Sequence, residues 1–251
     1  MESERRPPPF RIMTYNIHKA IGGVDRRYDL SRVVETVAHY QPDVLFLQEV
    51  DDGVPRSKLD FQAQLLAEEL KYPHSVFQPN IRLKRGQYGN AILSRFPCRE
   101  TWNVDLKISF KKRRRALIVK TMLGNGSMAC PIWLCNVHLG LSGFERTMQL
   151  KRLLHCQPIN RIRAGNALIV GGDFNDVWTT LGRKVMRPQG FQSALPKAKT
   201  FPALLPVRSL DALYFRGTLS LSTAFVGRTK SARAASDHLP LIADFETGAV
   251  D

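Results

Sequence analysis

The chain has 251 residues, 43% of them hydrophobic and 24% charged, which excludes a disordered or fibrous chain and suits one large domain with a buried core. Lysine and arginine number 37 against 22 acids, a net charge of +15, so the summed field attracts polyanions: nucleic acid or an acidic membrane surface. No apolar run approaches the ~20 residues that a spanning helix requires, and the start "MESERRPPPF" has no apolar stretch of the kind an export signal carries.

After an expected flexible arm over 1–9, "FRIMTYNIH" alternates apolar and polar residues as a half-buried strand does. Asp29 then stands as N-cap to "LSRVVETVAHY", whose Leu30, Val33, Val34 and Val37 recur at helical spacing. The pair repeats: "PDVLFLQEV" is the near-continuous apolar run of a strand covered on both faces, and "FQAQLLAEEL" is helical. Strands are predicted next at "HSVFQP", "YGNAILSRF", "RRALIVKTML" and "CPIWLCNVHLG", with a "GNG" turn between the last two. A helix opened by Ser142, with Glu145 completing a capping box, leads into the strand "NALIVGGDFN". The tail supplies "SLDALYF", "LSLSTAFV" and "LPLIADFE". No linker, low-complexity segment or fixed-period repeat interrupts this series, so a single domain is expected over 10–247. Layers of helix, sheet, sheet and helix bury every apolar face in it. The four cysteines show no CxxC spacing, and three lie in apolar runs, which fits a reducing, cytoplasmic setting; a monomer is expected.

The informative regularity is where the polar residues fall. Asn16 closes the first strand, Glu49 the second, His138 the strand before the long helix, and Asp173 with Asn175 the next; Asp237 and His238 open the last. If these ends meet, one rim collects carboxylates, amides and imidazoles. That set suits hydrolysis of a phosphate ester with a hard divalent ion, because Mg²⁺ takes oxygen ligands from one or two carboxylates and the substrate, whereas zinc favours more nitrogen or sulfur. Each element alone is weak: an acid after an apolar strand is often just solvated, and an asparagine often satisfies its own turn. "GGDFND" is more specific, since two glycines let the backbone tighten where the acids are presented.

In this order and spacing, "TYNIH", "LQEV", "YGNAILSR", "NVHLG", "GGDFND", "SLDALYF" and "SDHLPL" resemble the endonuclease/exonuclease/phosphatase family, the DNase I-like hydrolases, from about Phe10 to Phe245. The resemblance implies a four-layer α/β/β/α sandwich of two packed mixed β-sheets and a Mg²⁺-dependent site, with Mn²⁺ able to substitute. Carried over motif by motif, it makes Glu49 the principal metal ligand, with Asn16 and Asp237 close to the ion. Asp173 aligns or deprotonates the attacking water, and Asn175 holds a phosphoryl oxygen. His238 contacts the scissile phosphate, Asp211 orients its imidazole, and His138 stabilises charge on the phosphate or leaving oxygen. Asn90 and Arg115 fall where substrate-binding polar groups often stand, although a turn amide and a solvated charge run explain them equally well.

Two substrate classes stay open. The net charge and "KKRRR" at 111–115 favour a nuclease acting on nucleic acid. Hydrolysis of a phospholipid or other small phosphodiester is the alternative, consistent with a basic surface on anionic lipid and with "FPALLP" at 201–206 as an apolar loop near the site. A non-catalytic binding module is disfavoured, because every acid and the final histidine of the motif set are present.

Overall fold

The computed structural model describes residues 8–108, 110–124 and 129–248. Residues 1–7 of the expected arm, and Asn125 and Gly126 of the expected turn, lie outside them. The first sheet has β1 (Phe10–Asn16), β2 (Val44–Asp52), β3 (His74–Arg82), β4 (Gln87–Ser94), β11 (Leu219–Val226) and β12 (Leu241–Thr247), in the order β11-β12-β1-β2-β4-β3. The second has β5 (Cys98–Asp105), β6 (Arg115–Leu123), β7 (Cys130–His138), β8 (Ala167–Asp173), β9 (Gln192–Ser193) and β10 (Asp211–Arg216), in the order β5-β6-β7-β8-β10-β9. Both sheets are mixed: β1 with β2 and β7 with β8 run parallel, joined across helices α1 (Leu30–Tyr40) and α3 (Gly143–His155), as parallel neighbours must be.

Strand parity makes the layers. Ile12, Phe46 and Ile92 of the first sheet face Leu134, Ile169 and Leu213 of the second in one buried cluster. The alternate residues Met13, Tyr15, Leu45 and Leu47 turn outward beneath Val33 and Val37 of α1 and Leu66 of α2 (Gln62–Glu69). Val137, Leu168 and Val170 turn outward beneath Leu150 and Leu153 of α3. The central strands are therefore buried on both faces, which is why they are near-continuously apolar in sequence. Both expected caps are present: Ser31 N donates to Asp29 Oδ1 at 3.1 Å and Glu145 N to Ser142 Oγ at 3.2 Å.

One irregularity positions the site. Strand β2 does not end at Glu49, as the sequence reading expected, but continues to Asp52 through a bulge at which its register with β4 shifts between Leu47 and Val50. Gln48 faces the opposite sheet, and Glu49 is the extra residue, held at φ +58° in the left-handed region that a residue with a side chain rarely enters. Asn136 of β7 reaches across from the second sheet to fix this place. Its Nδ2 donates to the carbonyls of Leu47 and Ala91, register partners just before the shift, at 2.9 and 2.8 Å, and its Oδ1 accepts from Gln48 Nε2 at 2.8 Å.

Three further differences from the sequence reading have simple causes. Strand β5 was not foreseen because "CRETWNVD" lies at a sheet edge with mostly solvent-facing polar residues. The short helix α4 (Lys230–Ala235) precedes the last strand. Asp237 and His238 do not open that strand; they lie in the loop before it, and β12 starts at Leu241.

Asn136→Ala strips partners from a buried amide and two buried carbonyls, so it should lower the stability to urea unfolding by about 3 kcal/mol. A change within about 0.5 kcal/mol, the range of an ordinary surface substitution, would refute this bracing role.

Candidate active site

The strand ends do converge. In the second sheet His138 pairs in register with Asp173, and Asp173 with Asp211, so three neighbouring strands deliver these side chains to one edge. The two glycines before Asp173 permit this packing. A Cβ on Gly172, which sits at φ +138°, would lie 1.9 Å from the Val137 carbonyl, and one on Gly171 would lie 2.4 Å from Leu213. From the facing sheet, Asn16 Nδ2 donates to Asp173 Oδ2 at 3.0 Å, closing the gap between the layers at this edge.

Asp173 is the hub. Its Oδ2 also lies 3.4 Å from His138 Nε2 and 4.0 Å from His238 Nε2, and its Oδ1 accepts from Asn175 N at 2.9 Å. Burial raises its pKa, against the pull of both imidazoles. Asn175, at φ +51°, turns its side-chain amide onto the Leu139 carbonyl at 3.0 Å, which ties the loop after β8 to the loop after β7.

His238 Nδ1 bonds Asp211 Oδ2 at 2.9 Å, and Thr200 Oγ1 donates to the same oxygen at 2.5 Å. The imidazole packs against the Phe201 ring at a centroid distance of 5.0 Å, and its backbone N donates to Ser236 Oγ, which itself donates to the Asn16 carbonyl. Burial opposes charge on His238, but Asp211, Asp173 and Asp237 together push its pKa up to about 10. His138 is driven the other way, down to about 4, by burial and by the nearby Arg114 guanidinium. At neutral pH one imidazole is thus charged and the other neutral.

Glu49 lies across from His138, with its carboxylate on the Lys19 ammonium and Tyr88 beside it. Burial alone would raise its pKa; His138, Lys19 and His18 reverse this and hold it down to about 2. His138 is itself uncharged at neutral pH, so there the ammonium of Lys19 dominates. Lys19 belongs to a short turn (His18–Ala20) in which all three residues have positive φ, anchored where Gln62 Nε2 donates to the Lys19 carbonyl at 2.7 Å. Asp237 approaches His18 Nδ1 at 3.8 Å.

Among the described residues, ligand atoms of Asp173, Asp211 and His238 come within 4.8 Å of one another; Glu49, Asn16 and Asp237 are not in that group. Because Asp211 is bound to His238 Nδ1, this trio has the geometry of an oriented imidazole beside a carboxylate. The expected substrate contacts are turned inward. Asn90 is fully buried and donates to the Arg115 carbonyl at 3.4 Å, and Arg115 Nη1 donates to the Pro79 carbonyl at 2.8 Å. The basic run is divided as well: Arg114 is buried, Arg113 is exposed but pairs with Asp105, and Lys111 and Lys112 are exposed beside it. Lys19, Thr200 and Ser236 were missed in the sequence: Lys19 follows "TYNIH", Thr200 precedes "FPALLP" and Ser236 opens "SDHLPL", but only the fold shows that each touches the site.

A cavity of about 790 Å³ adjoins this edge, lined by Phe174, Trp178, Arg183, Phe191 and Tyr214 among others. It reaches Asp211 but not Asp173, His138 or His238, and it lies on the outer face of the second sheet, the side to which Tyr214 turns.

Comparison with known proteins agrees with this architecture. The model of the Endonuclease/Exonuclease/phosphatase family matches residues 13–238. The YbhP protein of Escherichia coli K12 is 30% identical over 259 residues, spanning 94% of this chain and 95% of the relative. An endonuclease/exonuclease/phosphatase from Beutenbergia cavernae superposes with a TM-score of 0.79 at 22% identity, covering 98% of this chain and 72% of that one. The human Nocturnin catalytic domain, solved with a bound sulfate anion, superposes with a TM-score of 0.72 at 24% identity over 98% and 100% of the two chains.

The opposed imidazoles give a direct spectroscopic expectation. His238 should stay protonated in an NMR titration through pH 8, and Asp211→Asn should bring its midpoint down toward the ordinary range near ~6.5. The sign for stability follows: a raised His238 favours the folded state below the unfolded pKa of about 6.5, and this contribution fades as pH rises toward about 10. A His238 midpoint that Asp211→Asn leaves unmoved would contradict the pairing.

Proposed function

The chain belongs to the endonuclease/exonuclease/phosphatase family, and from that membership we propose that it is a divalent-metal-dependent phosphodiesterase working by in-line attack of water. The observation that carries this reading is Asp173, buried between a charged and a neutral imidazole, with the strained, ionised Glu49 across from the neutral one, His138.

The donor set fits a hard cation. Glu49 is ionised and already meets a positive charge, that of Lys19, and Glu49, Asp237 and Asn16 offer oxygens, with no sulfur among the described site residues. Glu49 and Asp237, with the remaining lone pair of Asn16 Oδ1, would hold Mg²⁺ or Mn²⁺. When bound, such an ion supplies charge against the phosphoryl oxygens and orients the ester.

The chain's own groups do the rest. Asp173, fixed by Asn16 and by the Asn175 backbone N–H, accepts a proton from the attacking water and aligns it. His238, charged and locked by Asp211 and Thr200, donates from Nε2 to a phosphoryl oxygen as negative charge grows there. His138, neutral, is a second donor to the phosphate or leaving oxygen, and Asn175 is a third. Net charge taken by itself favours nucleic acid, with Lys111 and Lys112 on the loop between β5 and β6 to meet a phosphate backbone. Phospholipid is the second reading, favoured by the apolar side chains around the site edge.

With Mg²⁺ the protein should hydrolyse an aryl phosphodiester, and EDTA should abolish the activity until metal is restored. Glu49→Gln and His238→Ala should each lower kcat about a thousandfold while the circular dichroism spectrum stays native. Turnover that survives EDTA, or either substitution, would overturn the assignment.

A further inference from the structure

The exposed apolar side chains are not scattered. Every large one among the described residues lies at the end of the sandwich that carries the site: on a connection leaving the strands there, or in the first two turns of α3. Val24 follows β1, Leu59 and Phe61 follow β2, and Leu83 tips the turn between β3 and β4. Phe110, fully exposed, is on the loop between β5 and β6, whose ends, Asp105 and Arg115, pair in register beside the His138 end of β7. Leu141 and Phe144 follow His138, and Val177 and Trp178 follow Asn175. Leu204, Leu205 and Val207 crown the loop whose Ala203 N donates to the Asp237 carbonyl at 2.7 Å and whose Phe201 packs on His238. At the opposite end, among the described residues, the large apolar side chains are buried or partly buried.

Exposure at these tips is high: 79% for Trp178 and 71% for Leu205. A solvated face does not gather such groups at one end, and an edge that does marks a surface meeting something apolar. Cations stand directly beside them: Lys84 and Arg85 after Leu83, Lys111 and Lys112 after Phe110, Arg208 after Val207. Apolar tips flanked by lysine and arginine complement an anionic bilayer, whose headgroups take the cations and whose acyl boundary takes the tips. Single-stranded nucleic acid also suits cations with aromatics, but it stacks on π faces, and here aliphatic side chains outnumber aromatic ones.

We propose that the site-bearing end of the sandwich docks on an anionic phospholipid surface and presents the site to headgroup phosphodiesters. The docking stands on the surface itself; the headgroup as substrate rests on the phosphodiesterase reading above.

The test is co-sedimentation of the full chain with vesicles of phosphatidylcholine and phosphatidylglycerol in equal parts, against phosphatidylcholine alone. Binding is expected only to the anionic vesicles. The combined substitutions Trp178→Ser, Leu204→Ser and Leu205→Ser should weaken it about tenfold or more while hydrolysis of a soluble aryl diester is unchanged. Lipid brominated on its acyl chains should quench the tryptophan emission of the native chain, and Trp178→Phe should remove that quenching. Equal binding by the native and substituted chains would mean charge alone, and would overturn the proposal. So would no vesicle binding, or single-stranded DNA binding that the same substitutions weaken in its place. Vesicle binding retained by His238→Ala supports docking apart from chemistry, and a native chain that binds vesicles but cleaves no diester refutes the phosphodiesterase reading while leaving the docking intact.

Discussion

One hydrogen bond across the sandwich sets the register of everything at its edge: Gln48 Nε2 to Asn136 Oδ1, buried between the sheets. Gln48 is followed at once by the bulged Glu49, and Asn136 lies two residues before His138 on the same face of β7. Joining these amides therefore fixes where a carboxylate from one sheet meets an imidazole from the other. An all-apolar contact at this depth would let the sheets slide relative to each other, because aliphatic packing is non-directional. A hydrogen-bonded pair of amides has directional partners and a high cost if they are lost. The left-handed backbone at Glu49 is strain of the kind that persists only where surrounding bonds over-determine it, and the two carbonyls that Asn136 holds are such bonds.

The electrostatics of the edge follow from that placement. Two histidines within reach of one aspartate would ordinarily titrate alike. Here Arg114 lies behind one and Asp211 is bonded to the other, so burial outweighs the pull of Asp173 and Glu49 at His138 and is overcome at His238. The result is a neutral and a charged donor on either side of Asp173, a division of roles that two histidines alike in protonation would lack. Lys19 supplies the positive charge against Glu49 within the chain itself, from a turn whose backbone is left-handed throughout.

Much of this was legible in sequence because it depends on local pattern. Strand parity gave the layers, Asp29 and Ser142 announced their helices, and the polar residues at strand ends marked the edge before any contact was known. What escaped depends on tertiary placement. A bulge leaves no mark on an apolar run, so β2 looked complete at Glu49 although it continues to Asp52. Thr200 stands just before the apolar loop at 201–206, and nothing in the sequence ties it to Asp211, eleven residues away, until the chain folds. Asn90 and Arg115 have plausible substrate chemistry in sequence, yet the fold commits both to backbone carbonyls. The basic run looks like five free cations and is not, because β6 begins at Arg115, whose guanidinium donates to the Pro79 carbonyl, and Arg114 just before it is buried.

On the proposed reading Glu49, lifted out of its strand by the bulge, would share one divalent cation with the edge on which Asp173 and His238 stand. Anomalous diffraction from crystals soaked in Mn²⁺ tests it most directly. A single strong peak is expected against the Glu49 carboxylate, with the Lys19 ammonium displaced from it. A peak elsewhere, or Glu49 still paired with Lys19 while the ion sits apart, would contradict it.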